Sequence, residues 1–240
     1  MLEEVVYTSV PRGLNPQNNG YCIVAQSKQL SAQIEQRLMQ FSTYQHLADS
    51  SSTPANYSHT IFQTSSQQFH LLSRVGDGGK DYTERRCLFA HHIAETDPGQ
   101  LSPAGPAWTC ANKTLFYKQW NIKPGYLRPR KLPQGEFDLE TCRLWNSRTG
   151  QESGAHSLAE SVTQKTKKPV YVVYQSPLRL LPLFVEAVAL IPVELRWQAT
   201  FATYFAGSIP GIDCLWRGVL KNSDLHRTAV QQSSPIIDLS

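Results

Sequence analysis

The chain has 240 residues, 40% of them hydrophobic, 10% aromatic and 18% charged, with a formal net charge of +4. This is a globular composition with enough apolar material for a core, and its charge is too small for a dedicated nucleic-acid binder. The five cysteines, Cys22, Cys87, Cys110, Cys142 and Cys214, are odd in number, widely spaced and free of C-x-x-C pairs, which excludes a disulfide framework and a zinc ribbon.

Reduced, mostly buried thiols fit a cytoplasmic protein. The N-terminus places Glu3 and Glu4 where a signal peptide needs basic residues. The most apolar segment, residues 177–197, is interrupted by Arg179, Pro182, Glu186 and Pro192. It is a buried core helix rather than a membrane span.

In chain order, VVYTS at 5–9 and YCIVA at 21–25 are β-rich runs around the turn-forming PRGLNPQNNG, so they are expected to pair. Leu30, Ile34, Leu38 and Phe41 recur at helical spacing behind Ser31, a candidate N-cap. Residues 46–56 read as a polar loop. SHTIFQT at 58–64 and QFHLLSRV at 68–75 read as a hairpin, followed by GDGGK at 76–80 as a flexible turn. GDGGK is not a phosphate loop, because it lacks the G-x-x-x-x-G-K-[ST] pattern and Asp81 follows its lysine.

DYTERRCLFAHHIAET at 81–96 concentrates reactive residue types. As a helix, it puts Cys87, His91 and Glu95 on one face. As a strand, it puts Cys87, Phe89, His91 and Ile93 on one face and Leu88, Ala90, His92 and Ala94 on the other. In both readings His91 and His92 diverge, so they do not grip one metal, and no second ligand set answers them. Cys87 with His91 is the one local nucleophile–base candidate, without an evident oxyanion hole. The reading favoured here is a helix with one buried face, whose histidines bond backbone or carboxylate groups.

Beyond residue 97 the pattern weakens. FDLETCRLW at 137–145 reads as a helix and NSRTGQESGAHSLAESVTQKTKK at 146–168 as a linker. Residues 113–143 interleave Lys113, Lys118, Lys123, Arg128, Arg130, Lys131 and Arg143 with Phe116, Tyr117, Trp120 and Tyr126. That pattern could hold a single nucleic-acid strand, although a packed proline-rich loop is preferred. PVYVVYQ at 169–175 reads as a buried strand. SPLRLLPLFVEAVALI at 176–191 reads as a helix with Ser176 at its N-cap and Pro177 at its first position. RWQATFATYF at 196–205 alternates like a strand, and DCLWRGVL at 213–220 is a further strand after the turn SIPG. The fold class is therefore α+β. A mixed-sheet N-terminal domain with packed helices, 1–150, is followed by a smaller α/β layer domain, 166–240.

YTSVPRGL at 7–14, GYCIVAQS at 20–27, DYTERRCLFAHHIAE at 81–95 and WQATFATYFAGSIPGIDCLWRGVL at 197–220, closing on IIDLS, together resemble the bacterial GTPase-associated protein 1 family. The likeness is to its type-2 N-terminal domain followed by its middle domain. The family pattern D-Y-[ST]-G-R…A-H-H is matched by Asp81, Tyr82, Thr83, Arg85, Ala90, His91 and His92, with Glu84 where the family has glycine. The resemblance implies an adaptor or scaffold in a bacterial GTPase-linked conflict or defence system. Its partner would be a GTPase or another protein of the same gene neighbourhood, with no cofactor and no metal. Tyr7, Asp81, Arg85, His91, His92 and Arg217 are the candidate binding residues, and Cys87 and His91 the catalytic ones if the protein is a hydrolase or transferase instead. Asp81 and Arg85 are expected to form an ion pair or a backbone-bonded turn. Family members often continue beyond the IIDL stretch, so a further segment is expected in a longer form.

Overall fold

The structure is a computed structural model, and it describes residues 2–42, 55–65, 67–136, 138–165, 168–205, 207 and 213–240. The predicted loop over 46–56 and the turn SIPG lie almost wholly outside these residues.

Strands β1 (Glu3–Val10) and β2 (Gly20–Ser27) pair antiparallel, as the turn-rich connection between them implies. That connection folds tightly onto β2: a side chain at Gly13 would come within 2.6 Å of the Cys22 sulfur. Helix α1 (Ala32–Met39) begins where Ser31 accepts a hydrogen bond from the Ile34 amide, and it buries Ile34 and Leu38. Strands β3 (Asn56–Gln63) and β4 (Gln68–Lys80) form the expected hairpin. GDGGK is not a free turn but the end of β4, paired with β5 (Arg86–Glu95) through a bulge at Asp77–Gly79.

The segment 86–95 is thus a strand, not the helix favoured above. Pairing settles it: β5 is hydrogen-bonded to β4 on one side and to β1 on the other. A strand laddered on both edges is a buried element in which hydrophobic runs persist on both faces.

Helix α2 (Gly105–Ala111) and the short edge strand β6 (Gly125–Leu127) occupy the region where sequence patterns weaken. Helix α3 (Arg143–Thr149) begins later than predicted, after Cys142 in a left-handed conformation. Its first amides are bonded by Glu186, which accepts from Leu144 and Trp145 at 2.8–3.1 Å. That capping from a distant helix explains an acid inside an otherwise apolar segment. The predicted linker contains α4 (Glu152–Thr163). Its small residues bury closely, Gly154 against Trp145, and Ser161 accepts a hydrogen bond from the Trp216 indole at 3.0 Å.

Strand β7 (Val170–Tyr174) is wholly buried, as expected. Helix α5 (Leu180–Ala189) starts after the predicted cap, with Arg179 at the N-cap position and no side-chain capping bond. The alternation at 196–205 does not make one strand. Residues Val193–Gln198 form a 3-10 turn and only Phe201–Ala202 form a strand, β8. The reason is Arg196: buried, it donates to the Ile191 and Ala189 carbonyls at the end of α5 and to Pro103, so 196 and 197 both enter the core. Strand β9 (Trp216–Leu220), helix α6 (Asp224–Gln231) and strand β10 (Ile236–Asp238) complete the chain.

The ten strands of the described residues form one mixed sheet in the order β10-β7-β9-β8-β3-β4-β5-β1-β2-β6. It is parallel from β10 to β8 and antiparallel from β8 to β2. The fold is α+β, with the sheet continuous through both halves of the chain. Helices α1 and α6 cover one face; α2, α3, α4 and α5 cover the other, over the largest apolar core. No helix among the described residues is long and apolar enough to cross a membrane.

Candidate interaction face

Register assigns the histidine pair to opposite faces of β5. His91 faces the α2 side, opposite Val6 and Arg74; His92 faces the α1 side, opposite Val5 and Ser73. Each is fully buried and bonded. The His91 Nδ1 accepts from the Tyr117 amide at 3.0 Å, so its Nε2 carries the proton and donates to Glu4 at 3.0 Å. Burial holds the His91 ring below its ordinary pKa against the opposing pull of Glu4. Arg130 completes the cluster. Its Nε and Nη2 bond the Glu4 carboxylate, and Nη1 and Nη2 bond the Thr114 and Leu115 carbonyls. Burial alone would raise the Glu4 carboxyl, but His91 and Arg130 outweigh it and hold it low. His92 is bridged by Ser73 at 2.9 Å and Ser42 at 2.8 Å, and burial pushes it down to about 3.

A second histidine pair was not singled out in the sequence. His59 and His70 stack at 5.4 Å, both edge-on to Trp197. A chain of bonds from Gln68 through His70 and His59 to the Ala199 carbonyl satisfies both rings.

Cys87 and His91 share a face of β5 four residues apart. At about 3.3 Å per residue they stand too far apart to form a nucleophile–base pair. Burial raises the Cys87 thiol, so it is not primed as a thiolate. All five cysteines are free and buried. Arg217 is also buried, donating to Tyr171 and the Cys214 carbonyl and pairing with Asp213, and it stacks over Phe205. The basic and aromatic stretch 113–143 is divided: Arg130 joins the Glu4 cluster, Phe116 is buried, and Arg143 pairs with Glu140.

Asp81 and Arg85 form a backbone-bonded turn rather than an ion pair. Asp81 accepts from the Thr83 amide and hydroxyl, the Arg85 amide and the Ser9 hydroxyl. These bonds, that of Ser9 foremost, depress its carboxyl to about 2. Glu84 takes the left-handed φ of 63° that a glycine would adopt freely, so the turn keeps that geometry without glycine. The Arg85 side chain is exposed.

Of the candidate residues, Tyr7 lines an open groove on the α1 side near the β6 edge. The groove has a volume of about 790 Å³. Its walls are aromatic and amide-bearing: Tyr7, Tyr21 and Tyr126 with Asn15, Gln17 and Gln26. Tyr7 and Tyr21 stack at 5.9 Å, and the Tyr21 hydroxyl accepts from the Leu88 amide at 3.0 Å, which fixes the ring. Tyr21 is 46% exposed, Tyr126 58% and the nearby turn residue Tyr82 50%. Exposed tyrosines beside amide side chains recur on protein-binding surfaces. Among the described residues, donor atoms of Cys142, Glu152 and His156 lie within 4.8 Å of one another, close enough to share a cation. Glu152 there already accepts from Asn146.

The fold is that of an α+β protein that presents an aromatic groove on the α1 side of its sheet. The chain belongs to the GTPase-associated protein 1 family: residues 1–135 match its N-terminal domain type 2 and residues 148–240 its middle domain. No curated protein and no solved structure matches the chain.

Proposed function

We propose that this protein is an interaction adaptor or scaffold of a bacterial GTPase-linked conflict or defence system, and that the tyrosine groove is where it takes its partner. The observation that carries this reading is the groove itself, where Tyr7, Tyr21 and Tyr126 stand exposed or half-exposed around one concave surface. Tyrosine supplies large contact area at low entropy cost and is enriched among residues that dominate binding energy. The family description supports a GTPase as partner. Free thiols throughout support a reducing, cytoplasmic setting. An enzymatic role through Cys87 and His91 has no comparable support, since His91 is committed to Glu4 and Tyr117.

The test is binding of the purified chain to the GTPase encoded beside its gene, measured by titration calorimetry. Tyr126→Ala and Tyr21→Ala should each weaken binding by about tenfold or more, as a truncated interface anchor does, with the thermal midpoint of Tyr126→Ala unchanged. Undiminished binding by both variants would remove the groove from the interface.

A further inference from the structure

On the opposite face of the sheet a second cavity opens, between the segment after α2 and the segment leading into α5. It has a volume of about 780 Å³ and continues into a recess of about 170 Å³ lined in part by the same residues, Tyr57, Arg74, Lys113 and Lys118. It draws walls from both family-matched parts of the chain. Arg74 lies at its base on β4 between Tyr57 on β3 and His91 on β5. Arg74 is 9% exposed, yet its Nε and Nη1 have no hydrogen-bond partner among the described residues. A guanidinium is always charged, and a buried charge without a partner is unfavourable.

Every other charged side chain among the described residues that line the cavity has the same sign. Lys113 and Lys118 line it from one side and Arg179 from the other, and no Asp or Glu is among the described residues that line it. The N-terminus of α5, a ten-residue helix, borders it through Leu180 and Leu181. That helix start has no side-chain capping bond and no acid in its first turn. Free amides at a helix start favour an anion. Tyr57, Tyr174 and the leucines of the α5 approach supply an apolar wall. The size falls in the range of small-molecule sites.

We propose that this cavity binds a small organic phosphate. Its phosphate oxygens would be held in the planar fork of Arg74, with Lys113, Lys118 and Arg179 around them, and its apolar or aromatic body would lie against Tyr57 and Tyr174. The fork geometry of arginine matches phosphate bidentately, and four cations suit a multiply charged group better than a single carboxylate. The site is separate from the tyrosine groove and stands without it.

Calorimetric titration with pyrophosphate, ADP, citrate and a short oligothymidylate tests this. ADP is expected to bind more tightly than pyrophosphate, and both more tightly than citrate or the oligothymidylate. Arg74→Met should weaken ADP by at least about tenfold and Lys118→Ala by about threefold, while Lys28→Ala, on the exposed surface, leaves it unchanged. Without ligand, Arg74→Met should raise the thermal midpoint, because a charge held for a ligand is a liability when the ligand is absent. Absence of ADP and pyrophosphate binding, an Arg74→Met protein that binds as well as the parent, or one whose ligand-free midpoint falls, would each overturn the proposal. Tighter binding of citrate or oligothymidylate than of ADP would overturn the assignment to a small phosphate. Should Arg74→Met fail to fold, the double variant Arg179→Ala, Lys118→Ala carries the test, and undiminished ADP binding by it is contradictory.

Discussion

Arg74 and His91 face each other across β4 and β5, on the same side of the sheet, yet they end differently. Both ring nitrogens of His91 are bonded, one by the Tyr117 amide and one by Glu4. Two nitrogens of Arg74 are bonded by nothing among the described residues. The contrast separates two uses of buried polarity. Where the chain supplies every partner, the group ties distant segments together; Glu4 and Arg130 are 126 residues apart. Where the described residues leave one out, as at Arg74, the group is free to take the ligand proposed above.

Removing the partner of a satisfied group should make it behave like Arg74. Glu4→Ala strands both His91 and Arg130, and is expected to destabilise the protein by about 3–5 kcal/mol in urea denaturation. A loss within experimental error would dissolve the distinction drawn between the two residues.

Proton uptake tests the satisfied histidines together. Burial holds His59 at about 3, His70 at about 4 and His92 at about 3, all below the ordinary 6.5. The unfolded chain takes up these protons as pH falls through about 6.5, whereas the folded protein takes them up only near their lowered values. Their contribution is therefore fully present above about pH 6.5 and lost as pH falls toward 4. Denaturation midpoints should drop between neutral pH and about pH 5; a flat profile would mean that these rings are not held neutral by burial.

Ser73→Ala removes one of the two hydroxyls that hold His92. Leaving that buried nitrogen unbonded should cost about 1–3 kcal/mol, and no change would show that water replaces the hydroxyl. The smallest effect is expected for Arg85→Ala. An ion pair with Asp81 would make this change severe, but the side chain is exposed and the turn is bonded through the Arg85 backbone. The change in stability should stay within about 0.5 kcal/mol.

Local signals in the sequence mark the local structure. The two early hairpins follow from alternating runs separated by turn formers, and α1 from four apolar residues at helical spacing behind the Ser31 cap. The segment 86–95 stays ambiguous because it is apolar on both faces. Only its neighbours, β1 and β4, decide for a strand. The helix α4 is hidden for the opposite reason: Gly154, Ala155, Ala159 and Ser161 carry little hydrophobic signal, yet small size is what lets them pack under large aromatic rings. The Arg130–Glu4 clamp and the Arg74 cavity depend on contacts between distant segments, which no periodicity encodes. A single trace of the cavity is visible in sequence, an arginine within the apolar strand QFHLLSRV. The tyrosine groove is partly legible: Tyr7 stands among the residues of the family-like stretches, whereas Tyr126 lies in a stretch read mainly for its basic residues.

The most direct test of the account is calorimetric titration of the neighbouring GTPase into the parent protein, Tyr126→Ala and Arg74→Met. The account predicts a complex that Tyr126→Ala weakens by about tenfold or more and Arg74→Met leaves intact. No complex with the parent, or one indifferent to Tyr126, would contradict it.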